Sequence, residues 1–324
     1  IIWSLNNVND SISYYSYALH HDYPIKLGAM VIANLNEVFI NVLGLRYFEI
    51  NFIYYFFNLL SLVIFSKIIH DPILNTKRPI DYIFYLFFIF SPSLNFWISG
   101  INKESITFLG LVGLILSYQN KRLFFSLIFL SLILIVRPYI FFILFFSYFI
   151  YIFIKSKKNF FTYLSISVLL LFSLYIMHYY RIPLRIPFDV FSVESILEFI
   201  YSRQSKVFEG GTLNYSMRES NFIYLLFSYL FRPSIFEVNN LFFMIIALDN
   251  LMLLLFVIYR LVICIKFKFQ ISSEIVFISL IFFILSLILL TITSNNLGIA
   301  LRQKWMLIPF LIIILSNNKN TKIK

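Results

Sequence analysis

The 324-residue chain is 60% hydrophobic and only 13% charged, with a formal net charge of +11 and a mean hydropathy of +0.87. Soluble domains contain about 25% charged residues, so this composition excludes an ordinary soluble protein and indicates an integral membrane protein with several spans. The single cysteine, Cys264, excludes an internal disulfide and a cysteine-based metal cluster. The four histidines lack the spacing of a zinc site, and neither a Walker loop nor a GxGxxG motif occurs, so no metal and no cofactor is expected.

Apolar stretches that fit membrane spans follow one another along the chain. In order they are 48–65, 80–98, 105–118, 123–154, 160–178, 241–264, 275–293 and 305–315. The stretch 123–154 is too long for one span, and Arg137-Pro138 divides it into two helices, because proline disfavours helix at the residue before it. The stretch 222–231 is too short to span and is expected to be re-entrant or interfacial.

These stretches predict an all-α fold, a polytopic transmembrane helix bundle of about 9–10 spans. The bundle is expected to form a single membrane domain over residues 1–324, with one long outer loop at 179–240. The chain opens on Ile1 and not on methionine, so a first span is expected to lie before it.

Lysine and arginine are distributed differently between the two sides of this bundle. One side carries eleven lysines and three arginines, and the other carries four lysines and eight arginines. Short basic loops stay in the cytoplasm, so the lysine-rich side, with the C-terminus, is predicted to be cytoplasmic. Arginine has a planar fork that matches phosphate and carboxylate groups, so the outer side is predicted to bind an anionic group.

Most of the outer arginines lie in the 179–240 loop, and segment 193–202 within it is predicted to form an amphipathic helix along the membrane surface. The loop residues predicted to hold the anionic group are Arg181, Arg185, Arg203, Arg218 and Arg232. The alternative for each arginine is a salt bridge with a neighbouring acid such as Glu219 or Glu237, because the charges of the outer side nearly balance.

Further outer cations are expected to converge on the same region. Lys103 lies in the polar hairpin 99–104, Arg137 lies at the next outer turn, and Arg302 and Lys304 lie near the start of the last span. Charges at membrane depth usually face a water-filled cavity or a partner. A structural clamp between Arg137 and Asp249, which lies within a span, is the alternative for Arg137.

Four sequence patterns resemble those of bacterial polysaccharide-assembly proteins, namely the Wzy-type O-antigen and EpsG-like repeat-unit polymerases. The patterns are Ser91-Pro-Ser-x-x-Phe-Trp97-x-Ser-Gly100-x-x-Lys103-Glu104, Arg137-Pro138, Leu230-Phe-Arg232-Pro233-x-x-x-Glu237, and Asn296-x-Gly298-x-x-x-Arg302-x-Lys304-x-x-x-x-Pro309.

The resemblance implies a metal-independent glycosyltransferase in the bacterial inner (cytoplasmic) membrane. Such an enzyme joins polyprenyl-diphosphate-linked oligosaccharides into O-antigen or capsular polysaccharide on the outer face. It implies as partners the lipid-linked oligosaccharide, membrane lipid and a chain-length regulator, and no nucleic acid. It also implies that the loop arginines hold the substrates.

The reaction needs developing charge to be stabilised, a role for which Arg232 is predicted, and a general base. Glu219, Glu237 and Asp10 are candidates for the base. Asp10 alternatively caps the helix that follows it.

Three other functions remain open. The first is a GT-C-type glycosyltransferase that uses a polyprenyl-phosphate sugar, for which Asp10 would be the catalytic residue. The second is a flippase or transporter for the lipid-linked sugar, which would be expected to show internal repeats and interrupted helices. The third is a structural scaffold, which does not explain the separation of arginine from lysine.

Overall fold

The structure, a computed structural model, describes residues 10–20, 27–28, 30–74, 78–155, 221–238, 240–266, 273–294 and 297–316. These residues are predominantly α-helical and contain no β-strand, so the predicted all-α fold class is confirmed. Contacts divide the described residues into two compact units, and the single membrane domain stays a prediction. One unit contains the described residues up to Phe141, and the other contains those from Phe142.

The described elements of the first unit are helices. Its elements are α1 (Asp10–His20), α2 (Met30–Leu43), α3 (Tyr47–Leu74), α4 (Pro79–Phe90), α5 (Pro92–Ile98), α6 (Lys103–Gln119), α7 (Leu123–Val136) and the start of α8 (Pro138–Lys155).

The second unit contains the rest of α8 and the C-terminal helices. Its further elements are α9 (Phe222–Phe231), a 3₁₀ turn (Ile235–Glu237), α10 (Leu241–Lys266), α11 (Glu274–Thr293), α12 (Leu297–Gln303), a second 3₁₀ turn (Lys304–Met306) and α13 (Ile308–Ser316).

Four helices in the described ranges, α3, α8, α10 and α11, are long and apolar enough to cross a membrane. A fifth span is formed if the pair Leu297–Met306 and Ile308–Ser316, bent by 52°, is counted as one. The 26 residues of α10 correspond to about 39 Å at 1.5 Å per residue, which exceeds the roughly 30 Å hydrocarbon core. The chain is therefore a membrane protein by the length and composition of its helices.

Most predicted spans in the described ranges are recovered as helices. The stretches 48–65, 241–264 and 275–293 correspond to α3, α10 and α11, and α7 and α8 meet at the predicted Arg137-Pro138 break. The short stretch 222–231 is helix α9. The predicted span 160–178 and the predicted amphipathic segment 193–202 lie outside the described residues, so the total of about 9–10 spans stays a prediction.

The predicted span 80–98 differs, because it is broken into α4 and α5. Pro92 is the first residue of α5, and proline has no N–H to continue the hydrogen bonds of α4. The hydroxyl of Ser91 accepts a hydrogen bond from the Leu94 N–H at 3.3 Å and so caps the new helix. The Ser-Pro pair therefore ends one helix and starts the next.

Helices α6 and α7 form a tightly packed hairpin through two glycines of α6. A Cβ atom added at Gly113 would lie 2.4 Å from the Phe129 ring, and one added at Gly110 would lie 2.8 Å from Ile133. Small residues allow helix backbones to approach closely in a membrane. The two glycines thus set the distance between α6 and α7.

Candidate functional site

In the second unit, the turn after α9 presents a charged residue from the predicted site. The Asn221 side chain caps the start of α9 by accepting from the Ile223 N–H at 3.1 Å. The helix ends at Phe231, and the Arg232 N–H donates to the Ser228 carbonyl at 3.1 Å. Pro233 follows, cannot continue the helix, and is joined to Arg232 by a cis peptide bond.

Arg232 and Glu237, both predicted catalytic residues, form an ion pair across this turn. Arg232 Nε donates to both carboxylate oxygens of Glu237 at 3.0 Å. Glu237 also accepts from the Ser234 N–H at 3.2 Å, so the carboxylate is held by the turn itself. The side chains of Arg232 and Glu237 are 19% and 30% exposed.

This geometry leaves the outer edge of the guanidinium available to a ligand. The Glu237 contact uses Nε, and within the described ranges Arg232 Nη1 and Nη2 make no hydrogen bond. The guanidinium carbon lies 5.8 Å from the centre of the Tyr224 ring, at the outer limit of a cation–π contact. Two parallel N–H donors on a fixed guanidinium match the oxygen spacing of a phosphate or a carboxylate.

Large apolar side chains lie close to Arg232 in the sequence and are exposed. Phe236, between Arg232 and Glu237 in the same turn, is 98% exposed. The outer face of α9 is also exposed and apolar. Its exposed side chains are Phe222, Ile223, Tyr224 and Phe227. The turn therefore combines an oriented cation with an apolar surface.

A buried hydrogen-bond network links the turn after α9 to α10 and to the second 3₁₀ turn. Asn250 Nδ2, on α10, donates to the Pro233 carbonyl at 3.0 Å, and Lys304 Nζ donates to Asn250 Oδ1. Asn250 and Lys304 are each 1% exposed. Asp249, the residue before Asn250 on α10, is 6% exposed. A lysine so deeply buried requires such partners, because an unpaired charge is costly inside a membrane protein.

Gln303, next to Lys304 at the bend, contacts two further elements of the same unit. Its Oε1 accepts from the Ser294 hydroxyl, after α11, at 3.1 Å. It also lies 3.5 Å from the hydroxyl of Tyr229, in the last turn of α9. The bend between α12 and α13 therefore contacts α9 at Tyr229, before Arg232. Through Asn250, the same bend also contacts the turn after Arg232, at Pro233.

The first unit contains a separate buried ion pair. Arg137 Nη2 donates to Glu104 Oε1 at 2.5 Å, and Arg137 Nη1 donates to the Tyr139 hydroxyl. Asn102 caps α6 by accepting from the Ser105 N–H at 2.9 Å, and this cap places Glu104 in the first turn. The carboxylate that neutralises Arg137 is thus that of Glu104, from the polar hairpin.

Polar side chains also connect the first helices of this unit. Tyr14 and Tyr54 belong to one buried cluster, in which the Tyr54 hydroxyl donates to Asn36 Oδ1 at 3.1 Å. The Ser11 and Tyr47 hydroxyls lie 2.9 Å apart on neighbouring elements. The arrangement ties α1, α2 and α3 together through polar contacts.

The structure brings some of the predicted site residues together and separates others. Arg232 and Glu237 are in contact, and Arg302 and Lys304 lie on neighbouring elements of the same unit. Asp10, Lys103 and Arg137 belong to the first unit. Arg181, Arg185, Arg203 and Arg218, as well as Glu219, lie outside the described residues.

Asp10 is the first residue of α1 and is exposed. The helix therefore begins at Asp10 itself, where a carboxylate interacts favourably with the helix dipole. Its catalytic role and its alternative role as a helix cap both stay predictions. Lys103 is likewise the first residue of its helix, α6.

Sequence reasoning missed the residues that connect the predicted ones. Asn250, Gln303 and Tyr229 were not singled out, and Glu104 was noted only as part of the hairpin. One signal for Asn250 was available, because Asp249-Asn250 is a polar pair in the middle of the predicted span 241–264. Polar residues at membrane depth usually mark a partner or a site.

In the part of the chain that the structure describes, no group of three or more histidine, cysteine or acidic side chains could hold a metal ion. Comparisons with known protein families, with curated proteins and with solved structures found no match for this chain. The residues themselves therefore carry the functional argument.

Proposed function

We propose that this membrane protein polymerises lipid-linked oligosaccharide repeat units on the outer face of the bacterial inner membrane. The substrates are polyprenyl-diphosphate-linked glycans, and the product is an O-antigen or capsular polysaccharide. The proposal places the C-terminus in the cytoplasm and the turn after α9 at the outer surface. It rests on the sequence patterns and on the chemistry of the Arg232 turn.

The observation that carries the proposal is the pairing of an oriented guanidinium with an exposed aromatic side chain. Arg232 is fixed through Nε by Glu237, and Phe236 in the same turn is 98% exposed. A ligand that satisfies both features has an anionic head and an apolar tail. A polyprenyl diphosphate has this chemistry, whereas a free sugar or a nucleotide lacks the long apolar tail.

The chemistry of glycan transfer fits such a site. An acceptor hydroxyl oxygen forms a bond to the anomeric carbon of the donor, and the bond from that carbon to the lipid diphosphate breaks. The diphosphate leaves with the bonding electron pair, and the hydroxyl proton passes to a base. Arginine donors that face the diphosphate stabilise the negative charge that develops on it.

The base and the remaining diphosphate ligands are part of the proposal. Asp10 and Glu237 stay the described candidates for the base, although both oxygens of Glu237 already accept from Arg232. This engagement favours an orienting role for Glu237. The arginines at 181, 185, 203 and 218 would add further donors from the long loop.

A gene deletion with complementation tests the proposal. Deletion is expected to reduce the surface glycolipid ladder on a gel to the core plus one repeat unit, and the wild-type gene is expected to restore the ladder. Arg232→Gln is expected to leave the single-repeat band, because the diphosphate loses its paired donors. Arg122→Gln, which changes an exposed arginine of the first unit, is the matched control and is expected to restore the ladder.

Two results would count against the proposal. Loss of even the single-repeat band on deletion would indicate a step before polymerisation. A normal ladder from Arg232→Gln, with equal amounts of protein in the membrane fraction, would show that the Arg232 turn is not the site.

A lipid-linked sugar transporter is the second candidate, and one observation favours it. The last span is bent by 52° between Leu297–Met306 and Ile308–Ser316, and Lys304 is buried at the bend. Interrupted helices with buried polar groups form substrate sites in many transporters. In the deletion experiment, a transporter would be needed for the single-repeat band, whereas a polymerase would not.

A further inference from the structure

We infer that Asn250 is the positioning residue of the Arg232 site and that Lys304 acts through Asn250 instead of contacting the substrate. This inference rests on the proposed function, because it assigns a role within the same anion site. It gives Asn250 a role that the sequence patterns do not, and it changes the role predicted for Lys304.

The first step of the argument is the chain of hydrogen bonds from Lys304 to the turn. Lys304 Nζ donates to Asn250 Oδ1, and Asn250 Nδ2 donates to the Pro233 carbonyl at 3.0 Å. A lysine ammonium only donates and a carbonyl only accepts, so each end of the chain fixes the same orientation of the amide. Only one orientation of the Asn250 amide therefore makes both hydrogen bonds, the one to Lys304 and the one to Pro233.

The second step is burial. Asn250 and Lys304 are each 1% exposed, so water does not compete for these hydrogen bonds. Polar groups in a dry interior are strongly coupled to their partners, because an unmade bond leaves a costly desolvated group. A shift of the Pro233 carbonyl would break the chain, and the turn is therefore held at one position relative to α10.

The third step is the second contact made by the same bend. Gln303 Oε1 lies 3.5 Å from the Tyr229 hydroxyl, three residues before Arg232, and Asn250 holds Pro233, one residue after it. The Tyr229 side chain before Arg232 and the Pro233 backbone after it are thus both linked to the Gln303-Lys304 bend. Catalytic and binding groups need support of this kind, since small displacements of a donor weaken its interaction with charge.

The burial of Lys304 also explains why it does not serve as a direct ligand. A side chain that is 1% exposed, with its ammonium directed at Asn250, has no surface to offer to a lipid headgroup. Lys304 therefore contributes to anion binding only by holding the Asn250 amide.

Binding of farnesyl diphosphate to the purified chain in lipid nanodiscs tests the inference. Asn250→Asp keeps an acceptor for Lys304 but replaces the donor to the Pro233 carbonyl by a carboxylate oxygen, which repels that carbonyl. We expect about a tenfold loss of affinity, because the turn moves and the Arg232 donors lose alignment. Asn58→Asp is the matched control, since Asn58 is a buried asparagine in the span α3; the new carboxylate is expected to lower stability, but the folded protein is expected to bind like wild type.

A double-mutant cycle separates positioning from general destabilisation. Arg232→Lys is expected to weaken binding about ten- to hundredfold, since lysine lacks the planar fork. If Asn250 acts through Arg232, adding Asn250→Asp to Arg232→Lys will cause little further loss. Lys304→Met is expected to behave like Asn250→Asp in the same cycle, and it serves as the second variant if Asn250→Asp does not fold.

The outcomes distinguish the inference from the proposed function. Wild-type affinity in Asn250→Asp and Lys304→Met, or losses that multiply with that of Arg232→Lys, would overturn the positioning role while leaving the Arg232 site intact. Two results would overturn both the proposed site and the inference. The first is an affinity for farnesyl diphosphate that neither Arg232→Lys nor Arg232→Gln changes. The second is wild-type protein that does not bind farnesyl diphosphate.

Discussion

The ion pair of Arg137 and Glu104 allows a stability prediction that also decides the role of Arg137. The two side chains are 3% and 5% exposed, and their nearest charged atoms are 2.5 Å apart. Replacing Glu104 by glutamine removes the charge partner but keeps the size of the side chain. The change leaves the Arg137 guanidinium buried among neutral hydrogen-bond acceptors, the Tyr139 hydroxyl and the new amide oxygen, with its countercharge removed.

The expected loss is large. Two unit charges about 4 Å apart attract by about 4 kcal/mol at an effective dielectric constant of about 20. Breaking a buried ion pair from one side typically costs about 3–5 kcal/mol, since the remaining charge stays desolvated. We therefore expect Glu104→Gln to lower the free energy of unfolding by about 3–5 kcal/mol. By contrast, the double variant Glu104→Leu with Arg137→Met should recover much of the loss, because no uncompensated charge remains.

Unfolding in mixed micelles with increasing SDS, followed by tryptophan fluorescence, measures these differences. Arg122→Gln, at an exposed arginine, is the control and should stay within about 0.5 kcal/mol of wild type. If Glu104→Gln is as stable as wild type, Arg137 does not depend on Glu104, and the reasoning from burial fails. A double variant that is stable but does not bind farnesyl diphosphate would support the predicted substrate-binding role of Arg137 instead.

Two further predictions concern packing and the apolar part of the candidate site. Gly113→Ala should lower the free energy of unfolding by about 1–3 kcal/mol, because the new methyl group would lie 2.4 Å from the Phe129 ring. The same SDS titration measures this loss. If the full loss persists when Phe129→Ala is added, the clash with Phe129 is not its cause. Phe236→Ser should weaken farnesyl diphosphate binding about tenfold, since an apolar contact worth about 1.5 kcal/mol is lost. The binding of inorganic pyrophosphate should not change, and an equal effect on both ligands would show that Phe236 does not contact the isoprenoid tail.

Much of the helical structure could be predicted from local sequence. Apolar stretches of span length became α3, α10 and α11, and the Arg137-Pro138 pair marks the boundary between α7 and α8. These features depend on hydropathy and on the missing N–H of proline, which are properties of a short segment. The single predicted span 80–98 is wrong at Pro92, because hydropathy alone does not register the missing N–H of a proline.

The ion pair of the candidate site is also a local feature, although its partners were predicted for separate reasons. Arg232 was predicted for its fork and Glu237 as a possible base, and they lie five residues apart in one turn. The turn geometry, with the Ser234 N–H donating to Glu237, joins them. Their contact gives Glu237 an orienting role that residue type alone does not reveal.

Composition and hydropathy by themselves determined that this is an all-α membrane protein, because the need to satisfy backbone hydrogen bonds in lipid leaves helices as the means of burying such apolar stretches. The separation of arginine from lysine was likewise visible without a structure. Which charge meets which partner was decided only by the tertiary structure. Arg137 pairs with Glu104, 33 residues away in the sequence, and Lys304 donates to Asn250, 54 residues away. Helix packing brings these side chains together, and no local sequence pattern connects them.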